Sequence, residues 1–207
     1  MSATPRFVFL PGLGETRTVW DPVAKRLPHA DCSSLDVVET TPPLERWSLE
    51  GASRQVADTL TEPVHVVGLS LGAVVALQIA IRHPDKVASL FISAPQAKPP
   101  RVLMSLQTML MRVLPEKWIC PPGLRKPGLL AVLDSMKHLD LTSQLSNLRI
   151  PVTVACGSKD RANLPAARNI ARLIPSATLE IVQGVGHRWH ATHPELFALQ
   201  LTKHIAA

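Results

Sequence analysis

Short apolar runs alternate with longer stretches of helical spacing along most of the chain. Arg6 to Leu10 is a five-residue apolar run stopped by Pro11-Gly12, which predicts a strand. Val64–Val67, Val87–Ile92, Pro151–Ala155 and Thr178–Val182 read the same way, and Leu35–Val38 is a shorter candidate. Helical patterns lie between them over Val19–Leu27, Leu49–Leu60, Leu71–Arg82 and Leu164–Leu173. A last helix follows Pro194, a residue suited to the first helical turn. Continuous apolar strands alternating with helices predict an α/β fold: a mostly parallel sheet of about six strands, with helices on both faces.

One segment breaks this rhythm. Between Gln96 and Lys137 no run reads as a strand. Two helical patterns occur, Val102–Leu114 and Leu129–His138, punctuated by Pro115, Pro121, Pro122, Gly123, Pro127 and Gly128. The expected organisation is a core of residues 1–95 and 138–207, interrupted by a helical insertion at 96–137.

Composition narrows the class. At 207 residues the chain suits one well-buried core. No apolar run approaches the length needed to cross a bilayer, and the N-terminus lacks a leader pattern, so a cytoplasmic chain without stable membrane insertion is expected. Cys32, Cys120 and Cys156 are odd in number and scattered, with neither metal-ligand spacing nor a disulfide framework. The net charge of +6 is not arranged as a basic run with interleaved aromatics, and tyrosine is absent, so no nucleic-acid partner is expected. Seven basic and two acidic residues fall within 96–137, which gives the insertion +5 of that charge. A basic surface there would attract an acidic acyl substrate, small or carrier-bound.

The candidate chemistry centres on Gly68-Leu69-Ser70-Leu71-Gly72, a G-x-S-x-G sequence with a strand before it and a helix after. Such a turn lifts the serine hydroxyl above the carboxyl ends of the strands, at the positive end of a helix. A serine needs a base, and the base needs an orienting carboxylate. His187 sits after a strand in the glycine-containing loop QGVGHRWH, and Asp160 lies four residues past the strand ending at Cys156. Ser70, Asp160, His187 is the chain order this arrangement takes. His190 and His193 compete with His187, and Asp134 in the insertion competes with Asp160. His65 lies within a strand and reads as a hydrogen-bonded core residue. Two backbone N–H groups should hold the developing oxyanion: that of Leu71, directly after the serine, and that of Leu13, in the turn LPGLGET.

The segments FVFLPGLGETRTVW, VHVVGLSLGAVVALQIAIRHPDKVASLFISAP, LRIPVTVACGSKD and LEIVQGVGHRWHATHPELF together resemble the α/β-hydrolase superfamily. The similarity is greatest to small serine esterases and acyl hydrolases, the group of the carboxylesterase of biotin synthesis and the enol-lactonases. It implies a Ser70–Asp160–His187 triad, oxyanion donors at Leu13 and Leu71, no cofactor, no metal, and a lid formed by the insertion. Pro11-Gly12 stands where the group usually has His-Gly, VVETTPPLERW replaces a glycine-rich turn, and the lid is short.

The expected function is therefore hydrolysis of a carboxylic ester, thioester or lactone through an acyl-enzyme on Ser70. A C–C bond hydrolase or lyase using the same three residues is the alternative, and a non-catalytic binding module a third class. Met104, Met109 and Met111 of the insertion, with Trp189 beside His187, are the candidate acyl-contacting residues, because adaptable apolar walls suit an acyl chain.

Overall fold

The computed structural model describes residues 4–38, 47–120 and 124–206, without the side chain of Leu103. Residues 39–46 of the expected unusual turn, and Pro121, Pro122 and Gly123, lie outside the described residues. Strands β1 (Arg6–Leu10), β2 (Asp31–Ser34), β3 (Val64–Leu69), β4 (Val87–Ser93), β5 (Val152–Gly157) and β6 (Ala177–Val182) form one sheet in the order β2-β1-β3-β4-β5-β6. Every pairing is parallel. The helices are α1 (Asp21–Ala24), α2 (Leu49–Thr59), α3 (Leu71–Arg82), α4 (Arg101–Val113), α5 (Glu116–Ile119), α6 (Lys126–Lys137), α7 (Thr142–Leu145), α8 (Leu164–Leu173), α9 (Trp189–Thr192) and α10 (Pro194–Ala206).

The central strands are nearly uninterrupted apolar runs because both of their faces are covered. β4 shows the two-residue alternation directly. Ser89, Phe91 and Ser93 meet His204, Phe197 and Trp189 of α9 and α10 on one face. α3 covers β1, β3 and β4, and the ten residues from Leu71 to Ala80 are all buried.

Two elements differ from expectation. The second strand is Asp31–Ser34 rather than Leu35–Val38. It is an edge strand paired only with β1, so it needs no continuous apolar run, and its DCSS sequence alternates exposed and half-buried positions. Leu35 adds one more ladder bond, to the Phe9 carbonyl, before the chain leaves the sheet. Val19–Leu27 is broken into a 3₁₀ turn (Arg17–Trp20) and the one-turn helix α1, which carries Pro22 near its start.

The segment 96–137 supplies α4, α5 and α6 between β4 and β5. α6 is the inner part of it, with Val132 and Met136 joining the main core. A smaller apolar cluster of Leu124, Leu129 and Leu133 packs Met104 and Met111 beneath α4. No helix among the described residues is long and apolar enough to cross a membrane.

Candidate active site

Ser70 is the hinge between β3 and α3, with φ 53° and ψ −113°, a left-handed-side conformation that costs energy for a residue with a side chain. Its flanking glycines are sterically required. A Cβ on Gly72 would lie 2.1 Å from the Leu10 carbonyl oxygen, and one on Gly68 2.5 Å from that of Gly72. β1 therefore passes directly against the start of α3. The turn is held by Ser70 N–H donating to the Ser93 carbonyl at 2.9 Å. Leu71 opens α3, so its N–H has no intrahelical acceptor and is free to serve a ligand.

Two cavities meet at Ser70. The larger, about 620 Å³, is walled by Leu71, Val74, Met104, Val132, Leu133 and Met136, with Gln96, Lys98 and Asn163 as polar points. The smaller, about 180 Å³, is bounded by the turn Gly12-Leu13-Gly14-Glu15 on one side and His187-Arg188 on the other. Ser70 and Leu13 line both. His187, from the loop after β6, lines the same small cavity as the serine, and it stands one-third exposed while Asp160 is almost fully buried.

Asp160 Oδ2 lies 2.6 Å from His187 Nδ1, which leaves Nε2 as the nitrogen available for chemistry. Asn163, one turn on, donates to both Asp160 oxygens at 2.9 and 3.0 Å, and Gln96 in turn donates to Asn163 Oδ1 at 2.9 Å. Burial works against the Asp160 charge, but the His187 and Asn163 hydrogen bonds outweigh it and hold the carboxyl below its ordinary range. An ionised acceptor at this position fixes the imidazole ring and would stabilise its protonated form.

The competing residues sit elsewhere. His190 is completely buried against Trp20, at 4.6 Å between ring centroids, and His193 bonds the neighbouring Thr192 hydroxyl. Asp134 is an exposed residue of α6. A second serine–histidine group exists inside the core: Ser89 Oγ lies 2.7 Å from His65 Nδ1 and 2.8 Å from His204 Nε2, and His204 Nδ1 lies 2.8 Å from Thr153 Oγ1. Ser89 is buried mid-strand and lines neither cavity, so this group satisfies core polar atoms and has no access to a substrate.

Of the residues expected to contact an acyl chain, Met104 lines the larger cavity. Trp189 does not: it is fully buried, packs on Phe197 and donates its indole N–H to Ser93 Oγ. Met109 points outward and is 68% exposed, and Met111 packs on the small cluster under α4. Met104 and Met111, seven residues apart, share the inner face of α4, whereas Met109 lies about 140° round the helix from Met104. Glu15, Asn163 and Gln96 escaped sequence reasoning. The signal for Glu15 was its place in the same turn as Leu13, and for Asn163 its place three residues after Asp160.

The model of the alpha/beta hydrolase family matches residues 7–200. The chain belongs to that family. A pimeloyl-[acyl-carrier protein] methyl ester esterase of Neisseria meningitidis serogroup A is 26% identical over 95% of this chain and 75% of its own length. Its counterpart in Methylococcus capsulatus is 28% identical over 81% of this chain and 80% of its own. Among solved structures, a hydrolase from Pseudomonas aeruginosa PA01 superposes with a TM-score of 0.86 at 18% identity, covering 99% of this chain and 91% of that one. The enol-lactonase from Burkholderia xenovorans LB400 gives 0.82 at 18% identity, over 100% and 93%. These structures share its fold.

Proposed function

We propose that this α/β hydrolase is a serine hydrolase acting on a carboxylic ester or thioester, with Ser70 as nucleophile, His187 as general base and Asp160 as its orienting acid. The observation that carries this reading is the meeting of a conformationally strained Ser70 and an Asp160-bound His187 at one small cavity. Ser70 Oγ attacks the carbonyl carbon while His187 Nε2 takes its proton. The oxyanion is held by the N–H groups of Leu71 and Leu13. Collapse of the tetrahedral adduct expels the alcohol or thiol, which leaves with the proton from His187, and water repeats the sequence to release the acid.

Segment 96–137 acts as the lid of this reading, and Met104 with α6 forms the wall of an acyl site. A cavity of about 620 Å³ is in the range of small-molecule sites. The relatives' carrier-bound methyl ester favours an extended acyl substrate presented on a carrier. Not all of the lid charge is free to receive an acidic partner: Arg125 pairs with Glu116, and Lys98 with Asp140 at 2.6 Å. The test is a rate profile over p-nitrophenyl esters of increasing acyl length, beside acyl thioesters and lactones, with wild type and Ser70→Ala. Hydrolysis by the wild type that vanishes in a folded Ser70→Ala protein supports the assignment, and turnover in both variants rejects it. Efficient carbon–carbon cleavage with no ester turnover would point instead to the alternative chemistry.

A further inference from the structure

The turn that carries Leu13 has no histidine to anchor it, because Pro11 precedes Gly12. Its anchor is a carboxylate. Glu15 Oε2 accepts from the Gly12 N–H at 3.1 Å, and the Glu15 N–H returns a bond of 3.1 Å to the Gly12 carbonyl, closing the turn on itself. From the same carboxylate, Oε1 accepts from Arg188 Nε at 2.6 Å, and Oε2 lies 3.4 Å from His190 Nε2. Arg188 is the residue after His187. One nearly buried carboxylate thus ties the loop of the oxyanion donor to the loop of the general base, across 173 residues of sequence.

The charge is secure. Burial opposes ionisation of Glu15, but His190, Arg188 and the Gly12 N–H outweigh it and hold its pKa at about 2. His190 is fully buried, neither ring nitrogen has a well-aligned hydrogen bond among the described residues, and the Glu15 carboxylate is the polar group that faces its Nε2, at 3.4 Å. Neutralising Glu15 would loosen both loops at once.

We propose that Glu15 is a positioning residue of the reaction: it sets the separation of the Leu13 oxyanion donor from His187 on either side of Ser70. The proposal rests on Ser70 being the nucleophile. Displacements of about 1 Å in such a frame can cost on the order of 100-fold in rate. The prediction is a loss in the chemical step and little change in substrate binding, because Glu15 lies by the small cavity and not by the acyl wall.

The experiment compares wild type, Glu15→Gln and Glu15→Asp on an ester substrate and with an alkyl boronic acid. The boronate forms a tetrahedral adduct on the serine and places an oxygen in the oxyanion site. Glu15→Gln should lose about 10- to 100-fold in kcat with KM within about threefold, and boronate affinity should fall with kcat. Glu15→Asp, which keeps the charge, should recover part of both. Unchanged kcat and boronate affinity in Glu15→Gln, with or without a lowered Tm, would overturn the proposal by showing a merely structural role. A wild type that neither hydrolyses esters nor binds boronate overturns the assignment of Ser70, and this proposal with it. A wild type that does both, matched by Glu15→Gln, overturns the role of Glu15 alone.

Discussion

α3 and α4 have nearly the same length, 12 and 13 residues, and both help wall the cavity beside Ser70, yet they are held in opposite ways. α3 is buried without a gap from Leu71 to Ala80, wedged between the sheet and α2. α4 rests on α6 through its inner face, and exposes Val102, Leu106, Met109, Leu110 and Val113 on its outer one. These five positions fall on one stripe of a helix turning about 100° per residue. The end of the site proposed to break the bond is therefore built on a helix fixed by packing on all its faces. The end that would select the acyl group is held on one side only. Substitutions near α3 and its partners should be costly and specific, whereas those on α4 should alter substrate choice or nothing.

The largest effect expected is on the triad side. Asp160→Asn should fold normally but lose about 10³–10⁴-fold in kcat, since the imidazole loses its orienting acceptor and the stabilising charge. Full activity in this variant, with a dead Asp134→Asn, would move the acid to α6 and dissolve the contrast.

Next comes the turn at Ser70 between β3 and α3. Gly72→Ala pushes a Cβ to 2.1 Å from a backbone oxygen of β1, which no side-chain adjustment can relieve. A loss of more than about 3 kcal/mol in stability is expected from chemical denaturation, against less than about 0.5 kcal/mol for Met109→Ser on the exposed face of α4. Equal losses would show that α3 is not the more tightly held helix.

Acid should act on the same buried region. His204 is enclosed by Thr153, Ser89, His65 and Phe91, and burial, with the His65 charge adding to it, pushes its pKa down to about 4. An unfolded histidine takes up a proton near pH 6.5, so acidification from about 6.5 to 4 protonates the unfolded chain first. Stability present above pH 6.5 is lost across that window, by up to about 3 kcal/mol. Denaturation curves through this range should flatten in His204→Gln, and an unaltered slope would exclude His204 as the source.

The smallest effect separates the two faces of α4. Met104→Ala should raise KM for longer acyl esters severalfold, because it removes wall from the acyl cavity, and Met109→Ala should leave all rates within twofold. A Met109 effect as large as that of Met104 would mean that the outer face takes part in binding.

How much was legible in the sequence differs along the same divide. α8 occupies Leu164–Leu173 as its apolar spacing predicts, and α3 Leu71–Arg82 as its long apolar run predicts, the first burying one face and the second every residue from Leu71 to Ala80. The proximity of Asp160 and His187 could be anticipated since both follow strands at the same edge of the sheet. The acyl wall could not be. α4 carries apolar residues on two faces, Met104 and Met111 on one and the stripe from Val102 to Val113 on the other, and spacing alone does not tell which turns inward, so the expectation for Met109 fails. Trp189 followed His187 so closely that it looked like part of the site, but the one-turn helix α9 folds it into the core. β2 was misplaced by four residues because an edge strand is defined by its partner and not by its own hydropathy. Glu15 and Gln96 act through bonds that close across 173 and 67 residues, a relation that local pattern does not carry.

Whether Ser70 is the activated nucleophile is decided by intact-protein mass after exposure to a fluorophosphonate. A single adduct is expected on the native wild type, mapped by proteolysis to the peptide containing Ser70, with ester hydrolysis lost in proportion to labelling. Ser70→Ala should take no adduct. No labelling of the wild type under conditions where it hydrolyses esters, or an adduct on Ser89 instead, would contradict that role for Ser70.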